Sequence, residues 1–394
     1  MNILYQLLEL LELIILIIIG VQVFYLACFA VGSLFRYRPK LKPSGVRHKI
    51  AVIIPGYKED RIIIDTAVQS LKQTYPKELY EVVICADSFK EETILELQTL
   101  DVRVMEVKFE NSTKAKSVNK ALALLSPQQP DIAVILDSDN VMAPDFLEKI
   151  NAAYSSGYKV IQGHRTAKNQ DTSFALLDAI NEEIGNSIFR KGHRVWGVSS
   201  ALIGSAMAFD FNYFRSVMAD IEDVAGEDKL VELKVLKDRH TIEYLEDALV
   251  YDEKVSNAQN FSKQRTRWVG VQIYFFRNYF LDGVKEFVTE GNFDYFDKAF
   301  QMFLVPKVLL IGILGLMGML SLFTPVHPLW LVLMVAYFTA LLLAVPGRFY
   351  NIQLLKALLN IPKAILFMVF SILRIRKSTA SKFEVTEKNV TSRN

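Results

Sequence analysis

The sequence has almost no cysteine: Cys28 and Cys85 are the two such residues in a chain of 394. One falls in an apolar run and the other in an expected strand. Both read as buried reduced thiols, which excludes a disulfide scaffold or a cysteine metal site. An excess of charge of one sign is also missing, since 45 Lys and Arg stand against 43 Asp and Glu for a net charge of +2. The bases cluster beside apolar segments and not along a separate basic face, so nucleic acid is not an expected partner. There is no internal repeat and no low-complexity tract. Finally, no Lys or Arg precedes the first apolar run, where Glu9 and Glu12 stand instead. A secretory signal has a basic start and a shorter apolar stretch, so an uncleaved anchor is expected.

What the chain has in quantity is apolar surface, 51% of its residues. Leu13 to Val31 holds Gln22 as its one strongly polar side chain, and Val308 to Val326 and Pro328 to Gly347 carry no charge. Each is close to the roughly 20 residues that cross a bilayer, so three spans are expected. Arg36, Arg38, Lys40, Lys42, Arg47 and Lys49 follow the first run. Basic flanks stay inside, which places the central domain in the cytoplasm, Thr324 to His327 outside, and Arg348 with Arg374, Arg376 and Lys377 inside again. Ala364 to Leu373 is too short to span and reads as an interfacial or re-entrant helix.

Between the apolar ends the chain alternates. Ile50 to Ile54 is a buried strand stopped by Pro55-Gly56; Tyr80 to Cys85 and Val102 to Val107 read as further strands, with helices over Asp65 to Leu71, Ile94 to Leu100 and Lys114 to Leu125. Strands alternating with helices point to an α/β fold, a doubly wound parallel sheet. Further on, Val160-Ile161 is expected as a short strand, Ser173 to Ile188 as a helix, and Ala201 to Phe209 as a strand interrupted by Gly204. Lys229 to Lys237 should be helical and Thr241 to Val250 a last strand pair. Val271 to Val288 is amphipathic, with Arg277 and Lys285 among aromatics, and is expected on the membrane surface.

One stretch organises the chemistry. Ala133-Val134-Ile135-Leu136 runs into Asp137-Ser138-Asp139-Asn140, an apolar strand ending in two carboxylates one residue apart. Ligands of α/β sheets collect at such strand ends, and paired acids are stable together chiefly beside a cation. The same residues also suit a solvated turn.

Around it stand further motifs in order. Ile54-Pro55-Gly56-Tyr57-Lys58-Glu59-Asp60 looks like an I-P-x-Y-N-E opening with Lys58 in place of Asn. Asp87 ends the second strand, and Lys114-Ala115-x-x-Val118-Asn119 is similar to a K-A-x-x-L-N helix. Asp137-Ser138-Asp139 is a D-x-D. Gly204-Ser205-Ala206-Met207 resembles a G-T-G-M-like segment, Glu227-Asp228 an E-D pair, and Gln264-Arg265-Thr266-Arg267-Trp268 a Q-x-x-R-W signature. Together they resemble the membrane-bound family-2 glycosyltransferases, the cellulose, chitin, hyaluronan and poly-N-acetylglucosamine synthases.

The resemblance implies a GT-A type mixed sheet flanked by helices and a set of roles. Asp139 would be the direct ligand of Mg²⁺ or Mn²⁺, with Asp137 beside it nearer the nucleotide. Pro55, Tyr57, Glu59, Asp87 and Lys114 would bind the donor nucleotide. Gly204, Ser205 and Glu227 would face the acceptor with Gln264 and Arg265, Trp268 would stack on the acceptor sugar, and Arg267 would meet the pyrophosphate. Asp228 would be the general base, its pKa raised by Glu227, Glu222 and Asp223. Each residue also has an ordinary reading: Glu59 in a solvated loop, Asp87 as a cap, Lys114 in a helix's first turn, Asp228 at a helix N-terminus, Trp268 as an interfacial anchor. Lys307, beside the second span, is expected to snorkel to the cytoplasmic surface.

The expected organisation is an N-terminal transmembrane helix over 1–35, a basic linker over 36–49 and a cytoplasmic transferase domain over 50–260. The Q-x-x-R-W segment and an interface helix follow over 261–300, two transmembrane helices over 301–347, and an interfacial helix and tail over 348–394. The expected activity is inverting transfer from a UDP-sugar to a growing polysaccharide at the plasma or inner membrane, coupled to export. Three spans enclose a pore poorly, which calls for self-association or an export subunit. A single-sugar transferase with a lipid-linked acceptor is the alternative, and a non-catalytic nucleotide binder a more distant one.

Overall fold

The computed structural model describes residues 3–125, 129–254 and 258–363, together with 365, 366 and 369. Arg374, Arg376 and Lys377 lie outside the described residues, as does most of the expected helix from Ala364 to Leu373.

Eight strands form one sheet in the order β3-β2-β1-β4-β7-β6-β8-β5. They are β1 (Ile50–Tyr57), β2 (Tyr80–Asp87), β3 (Arg103–Val107), β4 (Ile132–Ile135), β5 (Val141–Met142), β6 (Val160–Ala167), β7 (Met207–Asp210) and β8 (Ile242–Asp252). Before β1 runs α1 (Ile3–Ser33), and α2 (Ile63–Ser70), α3 (Glu91–Gln98), α4 (Lys114–Leu125), α5 (Phe146–Ser155) and α6 (Ser173–Asn186) connect the strands. A π-helical stretch (Ser187–Gly192) leads into α7 (His193–Val195); α8 (Phe211–Met218) and α9 (Glu227–Lys237) precede β8. The chain continues through α10 (Ala258–Glu290), α11 (Phe293–Phe303), α12 (Lys307–Leu320), α13 (Leu329–Ala344) and α14 (Ile352–Leu358).

The sheet is mixed, which corrects the doubly wound parallel expectation. β3, β2, β1 and β4 run parallel, but β7 inserts antiparallel between β4 and β6. The alternation that suggested parallel strands ends at β4, and the sequence beyond it holds no βαβ signal. In register, Tyr57 pairs with Asp87 and Ile53 with Ile135, so the tips of β2, β1 and β4 open on one edge. β1 is buried on both faces because successive residues alternate sides. Ala51 and Ile53 pack with α4, α8 and α9, while Ile50, Val52 and Ile54 pack with α2 and α5. Cys85 is fully buried in the first of these layers, and burial pushes its thiol up to about 12.

Other expectations change in detail. Ala201 to Ala206 is a loop, and the strand is Met207–Asp210. Thr241 to Val250 is one long strand and not a pair. Val271 to Val288 belongs to a helix of 33 residues, whose Phe275 is buried in the layer that holds α4, α8 and α9. Lys307 Nζ donates to the carbonyl of Asn181 at 3.1 Å.

At 31 residues α1 is about 46 Å long, and it is the one described helix that is by itself long and apolar enough to cross a bilayer. The expected second and third spans are shorter helices of 14 and 16 residues, and α12 meets α11 at a bend of 62°. Leu16, Ile19, Val23 and Leu26 of α1 share an apolar cluster with Leu310, Leu314, Trp330 and Tyr337. Glu12 accepts hydrogen bonds there from the His327 amide at 2.8 Å and from Trp330 Nε1 at 3.0 Å.

Candidate active site

The turn after β1 is built by close approach. A Cβ on Gly56 would lie 2.7 Å from the Phe89 ring, so glycine is needed to seat that ring. Lys58 stands at φ 55°, a left-handed conformation in which Asn is more at ease, and its amide donates to the Asp87 carbonyl at 3.0 Å. The loops after β1 and β2 are thereby tied together. Asp60 accepts from the Lys90 amide and Thr93 Oγ, both at 2.8 Å, and so caps α3. Asp87 is 1% exposed; Ser88 Oγ donates to its Oδ1, while its Oδ2 has no partner among the described residues. A buried acceptor of this kind is ready for a ligand donor.

At the tip of β4 the acids are held from several sides. Lys114 Nζ donates to Asp137 Oδ1 at 2.5 Å, and an Arg165 nitrogen lies 3.7 Å from Oδ2. Asp139 is 4% exposed and accepts from Asn140 Nδ2 at 3.1 Å. Asn140 also donates to Asp252 and accepts from Ser205 Oγ, so it is fixed at every polar atom of its amide.

Residues 201–206 cross between this tip and α9. Gly204 at φ +82° and Ala206 at φ 54° break the extended run, and Ser205 is fully buried. Ser205 Oγ accepts the Asp137 amide at 3.0 Å, and the Gly204 carbonyl accepts from Lys114 at 2.5 Å. Gln162 holds the loop from β6 by accepting the Ile203 amide at 3.1 Å and donating to the Ser205 carbonyl at 3.0 Å. On the other side Lys229 donates to the Leu202 carbonyl at 2.9 Å, and Glu232 accepts the Leu202 amide at 3.1 Å.

Gly226, at φ +83°, opens α9, so Glu227 and Asp228 fall in its first turn where the helix dipole favours acids. Asp228 Oδ2 lies 3.6 Å from the position a Gly204 Cβ would take. Glu227 lies 3.9 Å from Lys114 Nζ. Burial raises the Glu227 carboxyl above the ordinary range, with the Asp228 charge adding to it and Lys114 opposing.

Gln264 and Trp268 lie near the start of α10. Val271 and Phe275, one and two turns beyond Trp268, pack against Gly226, where a Cβ would lie 2.6 Å from Val271. The signature is therefore delivered from the side of α9. Trp268 is 39% exposed, Arg267 is half-buried, and Gln264 Oε1 is buried with no partner among the described residues. The Arg265 side chain lies outside the described residues.

The structure brings Lys114, Asp137, Gly204 and Ser205 into one hydrogen-bonded unit, with Glu227 3.9 Å from Lys114, Asp228 against Gly204, and Tyr57 paired to Asp87 along the same edge. Sequence reasoning missed Asn140, Gln162, Arg165, Lys229 and Glu232, single polar residues in no motif. Of these only Gln162, after Val160-Ile161, and Glu232, between Val231 and Leu233, interrupt apolar sequence. Among the described residues no group of three or more His, Cys, Asp and Glu could hold a metal ion. Asp137 and Asp139 offer hard oxygen donors, which fit Mg²⁺ or Mn²⁺ as part of a shell completed by a diphosphate.

A mixed α/β sheet with acids at its parallel strand tips and a carboxylate-bearing helix across a loop describes a group-transfer enzyme. The chain belongs to the glycosyltransferase-like family 2, whose match spans residues 48–271. It is 26% identical over 238 residues to an N-acetylglucosaminyltransferase of Rhizobium meliloti (strain 1021), covering 56% of this chain and 54% of that protein. The chain thus spans about half the length of the curated relative it matches. Solved structures with a similar outline include the mannosyltransferase PcManGT of Pyrobaculum calidifontis, in complex with GDP-Man and Mn²⁺. That chain is 15% identical with a TM-score of 0.48, over 83% of this chain and 97% of that one. The glucosyl-3-phosphoglycerate synthase of Mycobacterium tuberculosis, with Mn²⁺, UDP and glucosyl-3-phosphoglycerate, is 17% identical with a TM-score of 0.37, over 57% and 79%. Neither likeness bears on what this chain binds.

Proposed function

We propose that the enzyme transfers a sugar with inversion from a UDP-sugar to a hydroxyl of a growing polysaccharide at the membrane surface. The observation that carries this reading is Lys114, whose ammonium joins Asp137, the Gly204 carbonyl and the Glu227–Asp228 turn. Donor-side acids and acceptor-side carboxylates are held by one cation, as an in-line displacement requires.

In this reading Tyr57 packs on the base, Asp87 accepts from it through Oδ2, and Glu59 accepts from the ribose. Bound Mg²⁺ or Mn²⁺, held by Asp139 and Asp137, would neutralise charge on the departing diphosphate. Asp228 takes the proton of the acceptor hydroxyl as its oxygen bonds to the anomeric carbon and the bond from that carbon to the diphosphate breaks. Arg267 meets the leaving diphosphate, and Trp268 gives the acceptor sugar a flat apolar face. The likeness to an N-acetylglucosaminyltransferase makes UDP-N-acetylglucosamine the first donor to test.

Product length decides between polymer and single addition. A labelled-donor assay with Mg²⁺, Mn²⁺ or chelator is expected to yield a ladder of lengthening products, lost with chelator. A single-sugar glycolipid would replace the polymer reading with transfer to a lipid-linked acceptor. That second reading is favoured by the few long apolar helices among the described residues, which line a sugar-wide passage poorly. Asp228→Asn is expected to lower kcat by about 10²–10⁴-fold with UDP binding retained; an unchanged kcat removes Asp228 as the base.

A further inference from the structure

α11 sits between the catalytic domain and the bend into α12, and its polar face is buried. Asp294 accepts from Ser199 Oγ at 2.5 Å. Asp297, 3% exposed, accepts from Tyr25 Oη of α1 at 2.7 Å and lies 3.2 Å from His193 Nε2. Lys298, also 3% exposed, lies 2.7 Å from Glu232 Oε1, and Glu232 is 1% exposed. That same oxygen accepts the Leu202 amide, while Lys229 lies 3.5 Å from the other oxygen and 3.7 Å from Asp228. An unbroken run of contacts leads from α11 to the loop that carries Gly204 and Ser205.

A buried ion pair adds little net stability over an apolar pair of the same volume, so packing alone is a weak reason for Lys298. Removing its charge, by contrast, leaves Glu232 buried beside Lys229 and free to turn from the Leu202 amide. The 202–206 loop would then lose its anchor on the α9 side, while Gln162 still holds it from β6.

We propose that Lys298 is a positioning residue for sugar transfer: by fixing Glu232 it sets the Leu202 peptide, and through it the loop that registers Lys114 and Asp137 against Asp228. The proposal rests on the assignment of Asp228 as base. It adds that a side chain on the membrane-side helix α11, distant in sequence from every motif, controls the alignment of donor and acceptor. The groups that face Lys298 are Glu232 and Lys229 of α9 and, on its own helix, Asp297 and Gln301. Burial lowers the Lys298 ammonium to about 8, with Lys229 adding to that and Glu232 and Asp297 opposing.

The test uses the full chain in detergent, with UDP-N-acetylglucosamine turnover read as UDP release and UDP affinity read by titration. Lys298→Met is expected to lower kcat about 10–100-fold with UDP affinity nearly unchanged, the signature of misalignment. Lys298→Arg, which keeps the charge, is expected to restore most of kcat. Wild-type kcat should fall as pH rises through about 8, where Lys298 loses its proton, and Lys298→Arg should lack that fall. A wild-type-like kcat in Lys298→Met, or an alkaline fall that is absent in wild type or persists in Lys298→Arg, overturns the proposal; the arginine arm still reads if the methionine variant fails to fold. Asp228→Asn is measured alongside: full activity there with impaired Lys298→Met removes the base and leaves the positioning role.

Discussion

Glu183 of α6 draws together groups from three parts of the chain. It accepts from Thr166 Oγ at 2.7 Å and from Arg348 at 2.6 Å, and His164 Nε2 lies 3.1 Å away. Burial alone would raise this carboxyl, but His164, Thr166 and Arg348 outweigh it and hold it at about 2. The folded value lies below the unfolded one, so the stabilisation is present above about pH 4.5 and is lost as pH falls towards 2. A shift of this size corresponds to about 3 kcal/mol. Urea melts between pH 7 and 3 are expected to be steeper in pH for wild type than for Glu183→Gln; equal slopes would deny Glu183 this role. The node also marks what sequence reading reaches at this scale. Asp137 and Asp139 stood out because an apolar run ends on them, and Asp228 through the resemblance of Glu227-Asp228 to an E-D pair. Glu183 and Glu232 did not, because each stands mid-helix where an acid ordinarily faces water.

At the scale of elements, the loop over 201–206 shows why an apolar run can mislead. Ala201 to Phe209 is apolar apart from Gly204 and Ser205, which is a strand signal. Positive φ at Gly204 and Ala206 turns the chain, and side chains from β6 and α9 take the backbone bonds a neighbouring strand would have made. The parallel half of the sheet was readable from its alternation with helices; β7 was read as a strand with its start too early, and its antiparallel direction leaves no mark in a four-residue run. Gly226 is the matching feature on α9. Its left-handed φ and its contact with Val271 both oppose a side chain. Gly226→Ala is expected to destabilise by about 1–2 kcal/mol and to lower kcat by tilting Asp228. Thermal melts and turnover check this, and a variant with wild-type Tm and kcat would show that α9 does not depend on the glycine.

For the whole molecule, the first apolar run was read correctly as a long helix, and the later two were read as longer than they are. Uncharged sequence continued past the ends of α12 and α13 into turns around Pro325, Pro328 and Pro346, so composition overstated helix length. The proposed orientation can be tested because the chain has two native thiols to remove. In a Cys28→Ala, Cys85→Ala background, Pro325→Cys is expected to react with an impermeant maleimide on intact cells and Lys40→Cys to react only after lysis. The reverse pattern would invert the orientation.

Glu12 and His327 are separated by 315 positions, and Glu12 and Trp330 by 318. Because α1 precedes the catalytic domain and α13 follows it, the Glu12 carboxylate waits through the making of that whole domain before its two donors exist. Until then the Glu12 carboxylate lacks both of these donors, and α13 closes on α1 as a clasp.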